Sequence, residues 1–267
     1  AILGLLAHGG MTTQGIKKAL GTEASIFLVL TMMCDSGLLV RGPPKGGWKS
    51  NLHTYHLLSE YYPGVAIKMD QAQATDSLVL RYLKAFGPAS EDDIAWWTGL
   101  RRTAIRKALE GLGDRVSHVD VAETKKGLLI ATADLKPLRE GRPLSKPLVR
   151  LLPSLDPYLM GYKNRGRYLD PEFYGYIYDR SGNATTTVLV DGRLAGVWDV
   201  ERNKNIVIKY FLFDAEDEAI VNEIGRQAVA MGGFLGDGPV RARVCDAMVP
   251  LPQRPPGAVM SPLKGQI

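Results

Sequence analysis

The sequence is poor in cysteine and in long apolar runs, and both shortages narrow its class. Cys34 and Cys245 are the two cysteines among 267 residues, and they lie far apart among apolar neighbours. This arrangement fits a reducing compartment better than a disulfide framework, so we expect a cytoplasmic protein. No apolar run approaches the ~20 residues that a membrane-spanning helix needs, so we expect no membrane partner.

The first residues also lack the signals of a secreted protein. Residues 1–6 are almost all apolar, but no basic segment precedes them and no cleavage site follows. The chain starts without Met, directly inside an apolar helical pattern. We therefore expect that its natural start lies upstream.

Metal and phosphate-loop signatures are weak. His53 and His56 are three residues apart in a predicted strand, so their rings point to opposite faces and we interpret them as structural. Gly232–Gly238 is rich in glycine but follows a predicted helix instead of preceding one, unlike the loops that cradle phosphates. We expect neither a metal nor a cofactor.

Net charge gives the first positive indication of function. The chain carries +5 at pH 7 and has a pI of about 9.1, which favours an anionic partner. Its length is sufficient for two or three domains, each with its own core.

The stretch from Arg81 to Leu112 predicts three helices separated by two tight breaks. Gly87-Pro88 ends the first helix. Ser90, with Asp93 three residues later, resembles a capping box that starts the second, and Gly99 ends it. The third helix carries basic residues on its outer face: Arg101, Arg102, Arg106 and Lys107. A short helix, a break and a basic helix are typical of a helix-turn-helix.

A predicted β-hairpin follows these helices. Residues 116–121 and 127–132 have strand patterns, and the polar turn between them carries Lys125 and Lys126. Three helices and then a hairpin are the order of a winged helix, in which this turn meets the phosphate backbone. The alternative is a three-helix packing unit with a solvated charged face.

The first sixty residues repeat this plan. Helices are predicted at Ile2–Ala7, from Thr12 and at Glu23–Asp35, followed by strands at Leu38–Arg41 and Leu52–Leu58. A shift of 78 residues superposes caps and core positions: Leu5 on Leu83, Gly9 on Gly87, Thr12 on Ser90, Ile16 on Ile94, and Gly21 on Gly99. Such an internal repeat favours two tandem winged helices.

The two copies differ in charge. The third helix of the first copy has no basic residue, whereas its hairpin loop carries Lys45, Trp48 and Lys49. If both copies bind DNA, we expect them to use different elements.

The C-terminal part changes character. Strands are predicted at Thr185–Val190, Leu194–Val200, Ile206–Phe213 and Val240–Val249, with a tight turn at Asp191-Gly192. One amphipathic helix is predicted at Glu216–Met231. We therefore predict an α+β protein with tandem winged-helix domains and a β-rich, barrel-like C-terminal domain that has one long helix. Its predicted divisions are 1–62, 75–137, 148–252 and a tail at 253–267, with linkers at Tyr61–Ala74 and Asp134–Pro147.

Three segments carry a resemblance to a known family: AFGPASEDDIAWWTGL (85–100), LLPSLDPYLMGYKNR (151–165) and TTVLVDGRLAGVW (186–198). They resemble the signature stretches of a bacterial family of winged-helix DNA-binding proteins that includes the AlkZ-type DNA glycosylases. Those enzymes excise alkylated purines and unhook interstrand crosslinks. The resemblance extends from Leu3 to Pro252. It implies a basic concavity that binds double-stranded DNA, with alkylated or crosslinked duplexes as candidate substrates.

The resemblance does not transfer a catalytic residue. The glycosylases of this family hold their attacking water with a Gln-x-Gln or Gln-x-Asp motif in an N-terminal segment. Gln71-Ala72-Gln73 matches the letters but lies in a predicted linker, so we assign it no role. We expect that this chain lacks the catalytic segment.

We predict a set of DNA-contacting residues from charge and position: Lys45, Lys49, Arg101, Arg102, Arg106, Lys107, Lys125, Lys126, Lys163, Arg165, Arg167 and Arg193. One exposed basic surface should consist of Arg101, Arg102, Arg106, Lys107, Lys125 and Lys126 and continue to Lys163, Arg165 and Arg167. The resemblance also implies that a hairpin of the C-terminal domain approaches the DNA groove, which makes Arg193, at the tip of the Asp191-Gly192 hairpin, a candidate contact. Asp156 is interpreted as a cap, Trp97 as a core residue and Trp96 as partly exposed. The alternatives are a winged-helix transcription regulator, a non-catalytic DNA-binding protein, and a protein-interaction module that has lost DNA binding.

Overall fold

A computed structural model describes most of the chain: residues 1–47, 50–65, 69–122, 127–142, 145–202, 204–214, 217–236, 238–245, 249–253 and 262–263. The chain divides into two compact units, Ala1–Asp70 and Gln71–Ile267. Within the described ranges, no helix combines the length and the apolar character needed to cross a lipid bilayer.

The first unit contains short helices and a small antiparallel sheet. Its elements are α1 (Ile2–Leu6), β1 (Met11–Thr12), α2 (Thr13–Leu20), α3 (Phe27–Asp35), β2 (Leu39–Pro44), β3 (His53–Leu57) and α4 (Leu58–Tyr61). The strand order is β1-β3-β2. Leu6, Ile16, Leu30 and Tyr55 form the centre of its core.

Local chemistry sets the helix ends in this unit. The Thr12 hydroxyl accepts a hydrogen bond from the Gly15 N–H at 3.1 Å and starts α2, which ends at Gly21 with φ of 64°. Helix α3 begins at Phe27, four residues later than predicted. The reason is a turn before it, in which the Thr22 hydroxyl accepts from the Ala24 N–H at 3.2 Å.

The second unit opens with a similar series. It contains α5 (Gln71–Phe86), α6 (Glu91–Thr98), α7 (Arg102–Leu112), β4 (Val116–Val119), β5 (Leu128–Ala131) and α8 (Thr132–Arg139). The predicted capping box is confirmed, since Ser90 and Asp93 exchange both hydrogen bonds, and Gly99 ends α6 with φ of 70°. A Cβ at Gly87 would lie 2.4 Å from the Leu83 carbonyl oxygen, so the break after α5 requires glycine.

Both predicted linkers are partly wrong. Helix α5 already begins at Gln71, whose carbonyl oxygen accepts a hydrogen bond from the Thr75 hydroxyl at 2.8 Å. The first six residues of the second predicted linker, 134–139, lie in α8. The Thr132 hydroxyl donates to the Asp114 carbonyl oxygen at 2.7 Å and thereby fastens the start of this Pro-containing helix.

The predicted repeat has a structural counterpart. Met11 pairs with Tyr55 of β3, and Ala89, the residue 78 positions after Met11, forms an isolated bridge with Leu129 of β5. Ile16 and Ile94 are both completely buried. The two regions therefore share an order of helix, bridging residue, two helices and antiparallel strands.

The remaining elements form a mixed sheet with one long helix against it. They are β6 (Val149–Leu152), α9 (Pro157–Met160), α10 (Tyr174–Ile177), β7 (Thr187–Val190), β8 (Arg193–Arg202), β9 (Ile206–Leu212), α11 (Glu218–Leu235) and β10 (Val240–Val244). The strand order is β10-β9-β8-β7-β6, with β10 parallel to β9 and the other pairs antiparallel. This order is linear among the described strands, which show no barrel closure. The molecule is thus of the mixed α+β class.

Helix α11 continues past its predicted end. Gly232 was expected to stop it, but the helix runs to Leu235 because Gly232 packs against β10. A Cβ there would lie 2.2 Å from the Val240 Cγ1, so the glycine permits close packing of helix and strand. One core cluster includes both Leu83 of α5 and Val197 of β8. The division of this unit into domains at 75–137 and 148–252 stays a prediction.

Candidate nucleic-acid interface

A cleft of about 910 Å³ opens in the second unit beside the start of α6. We call it the basic cleft; its main lining residues are Trp96, Lys163, Arg165, Arg167, Tyr174 and Arg180. Two acidic residues, Asp92 and Asp93, also border it. The structure thereby brings together Lys163, Arg165 and Arg167, three of the predicted DNA-contacting residues.

Asp93 positions the loop that carries these cations, residues 161–167. Its Oδ1 accepts hydrogen bonds from the backbone N–H groups of Lys163 at 2.9 Å and Asn164 at 3.2 Å. Its Oδ2 accepts from the N–H of Ser90 at 3.0 Å and from the Ser90 hydroxyl at 2.7 Å. The side chain is buried, and all four donors are satisfied by one carboxylate. The capping-box residue Asp93 therefore also fixes this loop, which we call the basic loop.

Buried tyrosine hydroxyls hold the segment before this loop. Tyr82 donates to the Gly161 carbonyl oxygen at 2.9 Å, and the hydroxyls of Tyr168 and Tyr178 both lie 3.0 Å from the Leu159 carbonyl oxygen. Burial raises the pKa of Tyr82 and of Tyr168 well above the ordinary value, so both remain protonated donors. The backbone of residues 159–161 is consequently held by side chains from distant parts of the unit.

The side chain of Arg165 is buried and does not belong to an exposed basic surface. It is 9% exposed, and its guanidinium carbon lies 3.5 Å from the Tyr178 ring centroid. Its Nη1 donates to the Tyr174 hydroxyl at 2.6 Å and its Nη2 to the Gly182 carbonyl oxygen at 3.0 Å. Its Nε is buried without a hydrogen-bond partner among the described residues. The expectation of exposure is wrong for this residue, because the aromatic side chains around it favour a cation in their midst.

Lys163 and Arg167 are more accessible. The Arg167 guanidinium lies 4.1 Å from the Tyr162 ring centroid and donates to the Pro88 carbonyl oxygen at 2.7 Å. It is half-buried, and it ties the loop to the break between α5 and α6. Lys163 is exposed, and its ammonium group forms no ion pair with any residue that the structure describes.

The basic face of α7 is partly neutralised by α6. Arg102 forms an ion pair with Asp92, and the Nε of Arg106 lies 3.0 Å from a carboxylate oxygen of Glu91. Acidic residues in the first turn of a helix are favoured by its dipole, which explains why they occur there. Arg101 and Lys107 are exposed and have no ion pair within the described part of the chain. The four predicted cations of this helix are therefore unequal.

The other predicted contacts lie on separate elements of the chain. Lys45 is exposed next to the end of β2, in the first unit. Arg193 follows a hairpin turn whose residues Asp191 and Gly192 have φ of 47° and 85°, as predicted for this dipeptide. It is exposed and forms an ion pair with Asp170 at 2.7 Å. Three predicted residues lie outside the described residues: Lys49, Lys125 and Lys126.

Of the two adjacent tryptophans, one is placed as predicted and the other is not. Trp97 is 43% exposed, so its prediction as a core residue is wrong; it packs on the surface of α5 against Tyr82 and Phe86, at centroid distances of 5.5 and 5.7 Å. Trp96 is 47% exposed and lines the basic cleft, and its Nε1 donates to the Met160 carbonyl oxygen at 3.2 Å. The partial exposure of Trp96 is as predicted.

Two smaller interpretations are confirmed. Asp156 caps α9, since its Oδ1 accepts from the Tyr158 N–H at 2.9 Å. His53 and His56 have structural partners, the Gly42 carbonyl oxygen at 3.1 Å and the Thr54 hydroxyl at 3.0 Å.

Gln71 and Gln73 occupy the first turn of α5 and not a linker. Gln73 borders a second, smaller cleft of about 350 Å³ together with Arg81, Lys84 and Arg115.

Comparison with known proteins gives consistent results. Residues 1–234 match the family model described as DNA glycosylase AlkZ-like. The interstrand DNA cross-link repair glycosylase of Streptomyces sahachiroi is 28% identical over 187 residues, which are 68% of this chain and 48% of that protein. The chain thus spans about half the length of this relative. The solved structure of Streptomyces sahachiroi DNA glycosylase AlkZ superposes with a TM-score of 0.66 at 23% identity, covering 90% of this chain and 67% of the other.

Proposed function

Because this chain belongs to the AlkZ-like DNA glycosylase family, we propose that it binds double-stranded DNA and acts in the repair of alkylated or crosslinked DNA. The single observation that supports DNA binding is the basic loop of residues 161–167, whose backbone is held by hydrogen bonds to a buried carboxylate. Lys163 is exposed and lines the basic cleft together with the buried Arg165. Asp93 accepts hydrogen bonds from the backbone N–H groups of Lys163 and Asn164 and so holds this part of the loop. Fixed cations on an ordered loop are suited to phosphates, which position DNA without reading its sequence.

We further propose that both helical regions are winged helices. The shared element order supports this, as does the bridge that each region makes between the residue before its second helix and its last strand. In this arrangement α7, with Arg101 and Lys107 unpaired among the described residues, is the helix that approaches DNA. The apolar α3 of the first region is less suited to phosphates, and Lys45 represents that region's contact.

Excision is a separate proposal. Hydrolysis of a glycosidic bond needs a polar group that holds water against the anomeric carbon. We propose that this group comes from the family's N-terminal Gln motif and not from Gln71 or Gln73. The 267-residue chain should then bind duplex DNA without releasing N7-alkylguanine. Abasic-site formation on alkylated DNA measures this directly, and activity that disappears in Gln71→Ala or Gln73→Ala would contradict it.

The binding proposal is tested by titrating random and palindromic duplexes at several salt concentrations. Lys163→Gln should weaken binding equally on all sequences and lower the slope of log K against log salt by roughly one unit. Lys136→Gln is the matched control, since Lys136 is an exposed cation of α8 that lies outside the basic cleft and 3.9 Å from a carboxylate oxygen of Glu140. A loss confined to one duplex sequence would favour a transcription regulator, because only base readout depends on sequence.

A further inference from the structure

We propose that the basic cleft is a subsite for a single unpaired nucleotide of a DNA strand. Its base stacks on Trp96, and its phosphate meets Arg180 with Lys163 alongside. This inference rests on the proposed DNA binding and adds a preference within it.

Trp96 has the properties of a stacking platform. Nearly half of its surface is exposed, although its ring is anchored at one edge by the hydrogen bond to Met160. The Arg165 guanidinium carbon lies 5.9 Å from its centroid, much farther than the 3.5 Å that separates this carbon from the Tyr178 centroid. Arg165 therefore packs closely on Tyr178 and only loosely over Trp96, of which nearly half stays accessible. An exposed, immobilised aromatic ring stacks a base at little entropic cost.

The charges around this ring favour an anion. Four cationic residues line the cleft (Lys163, Arg165, Arg167 and Arg180) against the two carboxylates of Asp92 and Asp93. Asp92 forms an ion pair with Arg102, and Asp93 is occupied by its four donors. Arg180 is exposed, and its Nη2 donates a hydrogen bond to the Pro252 carbonyl oxygen at 3.2 Å. Among the described residues its other guanidinium donors have no partner, so they can reach a phosphate oxygen.

The size of the cleft separates a nucleotide from a duplex. A volume of about 910 Å³ is in the range of clefts that hold one small ligand. A double helix, whose major groove alone is about 12 Å wide, cannot enter it. Only a nucleotide displaced from the base stack brings a base and its phosphate to these residues together.

The experiment compares three DNAs: a fully paired duplex, the same duplex with one bulged nucleotide, and a version whose bulge lacks its base. Binding is measured by fluorescence anisotropy at fixed salt. The wild-type chain should bind the bulged duplex about tenfold more tightly than the paired one, because one base–aromatic stack is gained. The baseless bulge should lose most of this gain.

Trp96→Leu should abolish the preference, whereas Trp97→Leu should keep it. The second variant is the matched control, because Trp97 is the adjacent residue, is equally exposed and lies outside the basic cleft. Arg180→Gln should lower affinity for the bulged duplex about fivefold, and more than for the paired duplex. It provides an independent reading if Trp96→Leu proves unstable in thermal unfolding.

The outcomes are separable. Equal binding of all three DNAs by the wild-type chain, or a preference that survives Trp96→Leu, overturns the subsite and leaves the proposed duplex binding intact. Absence of binding to every DNA overturns both proposals. A preference that depends on the base, on Trp96 and on Arg180 supports the subsite.

Discussion

The two helical regions share one element order, but the exposed face of the third helix is apolar in the first region and basic in the second. Helix α3 of the first region exposes Phe27, Leu28 and Met32, each more than 60% accessible, and it has no basic residue. Helix α7 of the second exposes arginines and a lysine, while its inner face buries Ile105 and Leu112. Buried positions and caps are what the copies have in common. The same local architecture is therefore compatible with quite different partners. The exposed side chains, and not the order of the elements, distinguish the two regions in function.

The start of the second helix shows the same contrast. Thr12 and Ser90 occupy equivalent caps, but the residue three positions later is Gly15 in the first region and Asp93 in the second. The carboxylate adds a reciprocal bond to the cap and two bonds to the basic loop. One side chain thus converts an ordinary helix start into a support for a candidate binding site.

The largest expected effect comes from removing this difference. Asp93→Ala would leave buried N–H groups without their acceptor and should lower the free energy of unfolding of the second unit by about 3 kcal/mol. Duplex affinity should fall as well, because the loop of residues 161–167 is released. Urea unfolding and DNA titration measure the two effects. Asp93→Asn should restore part of each, since its amide oxygen can still accept from Lys163; equal loss in both variants would argue against the hydrogen-bond explanation.

A second prediction concerns the neutralised cations of α7. Replacing both acids, Glu91→Gln with Asp92→Asn, frees Arg106 and Arg102 for phosphates. Duplex affinity at low salt should rise about tenfold, and the salt dependence should steepen. The free energy of unfolding should change little, because ion pairs that are open to solvent on the arginine side, as these are, contribute about 0–1 kcal/mol. The double variant Glu110→Gln with Asp114→Asn removes the same two charges at exposed acids that have no ion pair among the described residues, so it controls for net charge; an equal rise there would show that overall charge alone is responsible.

A third prediction exchanges charge between equivalent helix positions. Lys107 corresponds to Val29 under the 78-residue shift, and both are exposed. Lys107→Gln should weaken duplex binding about threefold, whereas Val29→Lys should leave it unchanged, because the first region is proposed to use its hairpin and not α3. Titrations at one salt concentration suffice. A clear gain from Val29→Lys would mean that both helices face DNA alike.

The smallest effect concerns Gly15. A Cβ at this position would meet the Thr12 hydroxyl oxygen at 3.4 Å, an ordinary contact, so alanine fits. Gly15→Ala should stabilise the first unit by about 0.5 kcal/mol through a lower backbone entropy of the unfolded chain. Hydrogen exchange of α2 amides reports on this unit alone. Gly21→Ala, at a φ of 64°, should instead destabilise it.

The features that depend on local chemistry could be predicted from the sequence. The caps at Thr12 and Ser90, the helix end at Gly99 and the Asp191-Gly192 turn depend on neighbours within a few residues, and all were predicted. The 78-residue repeat located equivalent core positions for the same reason.

The contacts between distant segments of the chain could not be predicted from the sequence. Asp93 bonds to residues 70 and 71 positions away, and the burial of Arg165 depends on tyrosines brought together by the fold. Nothing in the local pattern distinguishes a buried arginine from an exposed one. The one available signal was composition: tyrosines are concentrated between Tyr158 and Tyr178, and buried hydroxyls need acceptors that a neighbouring loop can supply.

The long-range bonds of the basic loop also have a kinetic consequence. Tyr82 to Gly161 spans 79 residues, Tyr162 to Phe86 spans 76, and Arg167 to Pro88 spans 79. Closing a chain segment of this length costs entropy before any contact rewards it, and such pairings form slowly. The loop should acquire its shape among the last steps of folding, after the helices and the sheet. A fragment limited to residues 71–139, or to 148–253, could retain secondary structure and yet would contain no cleft.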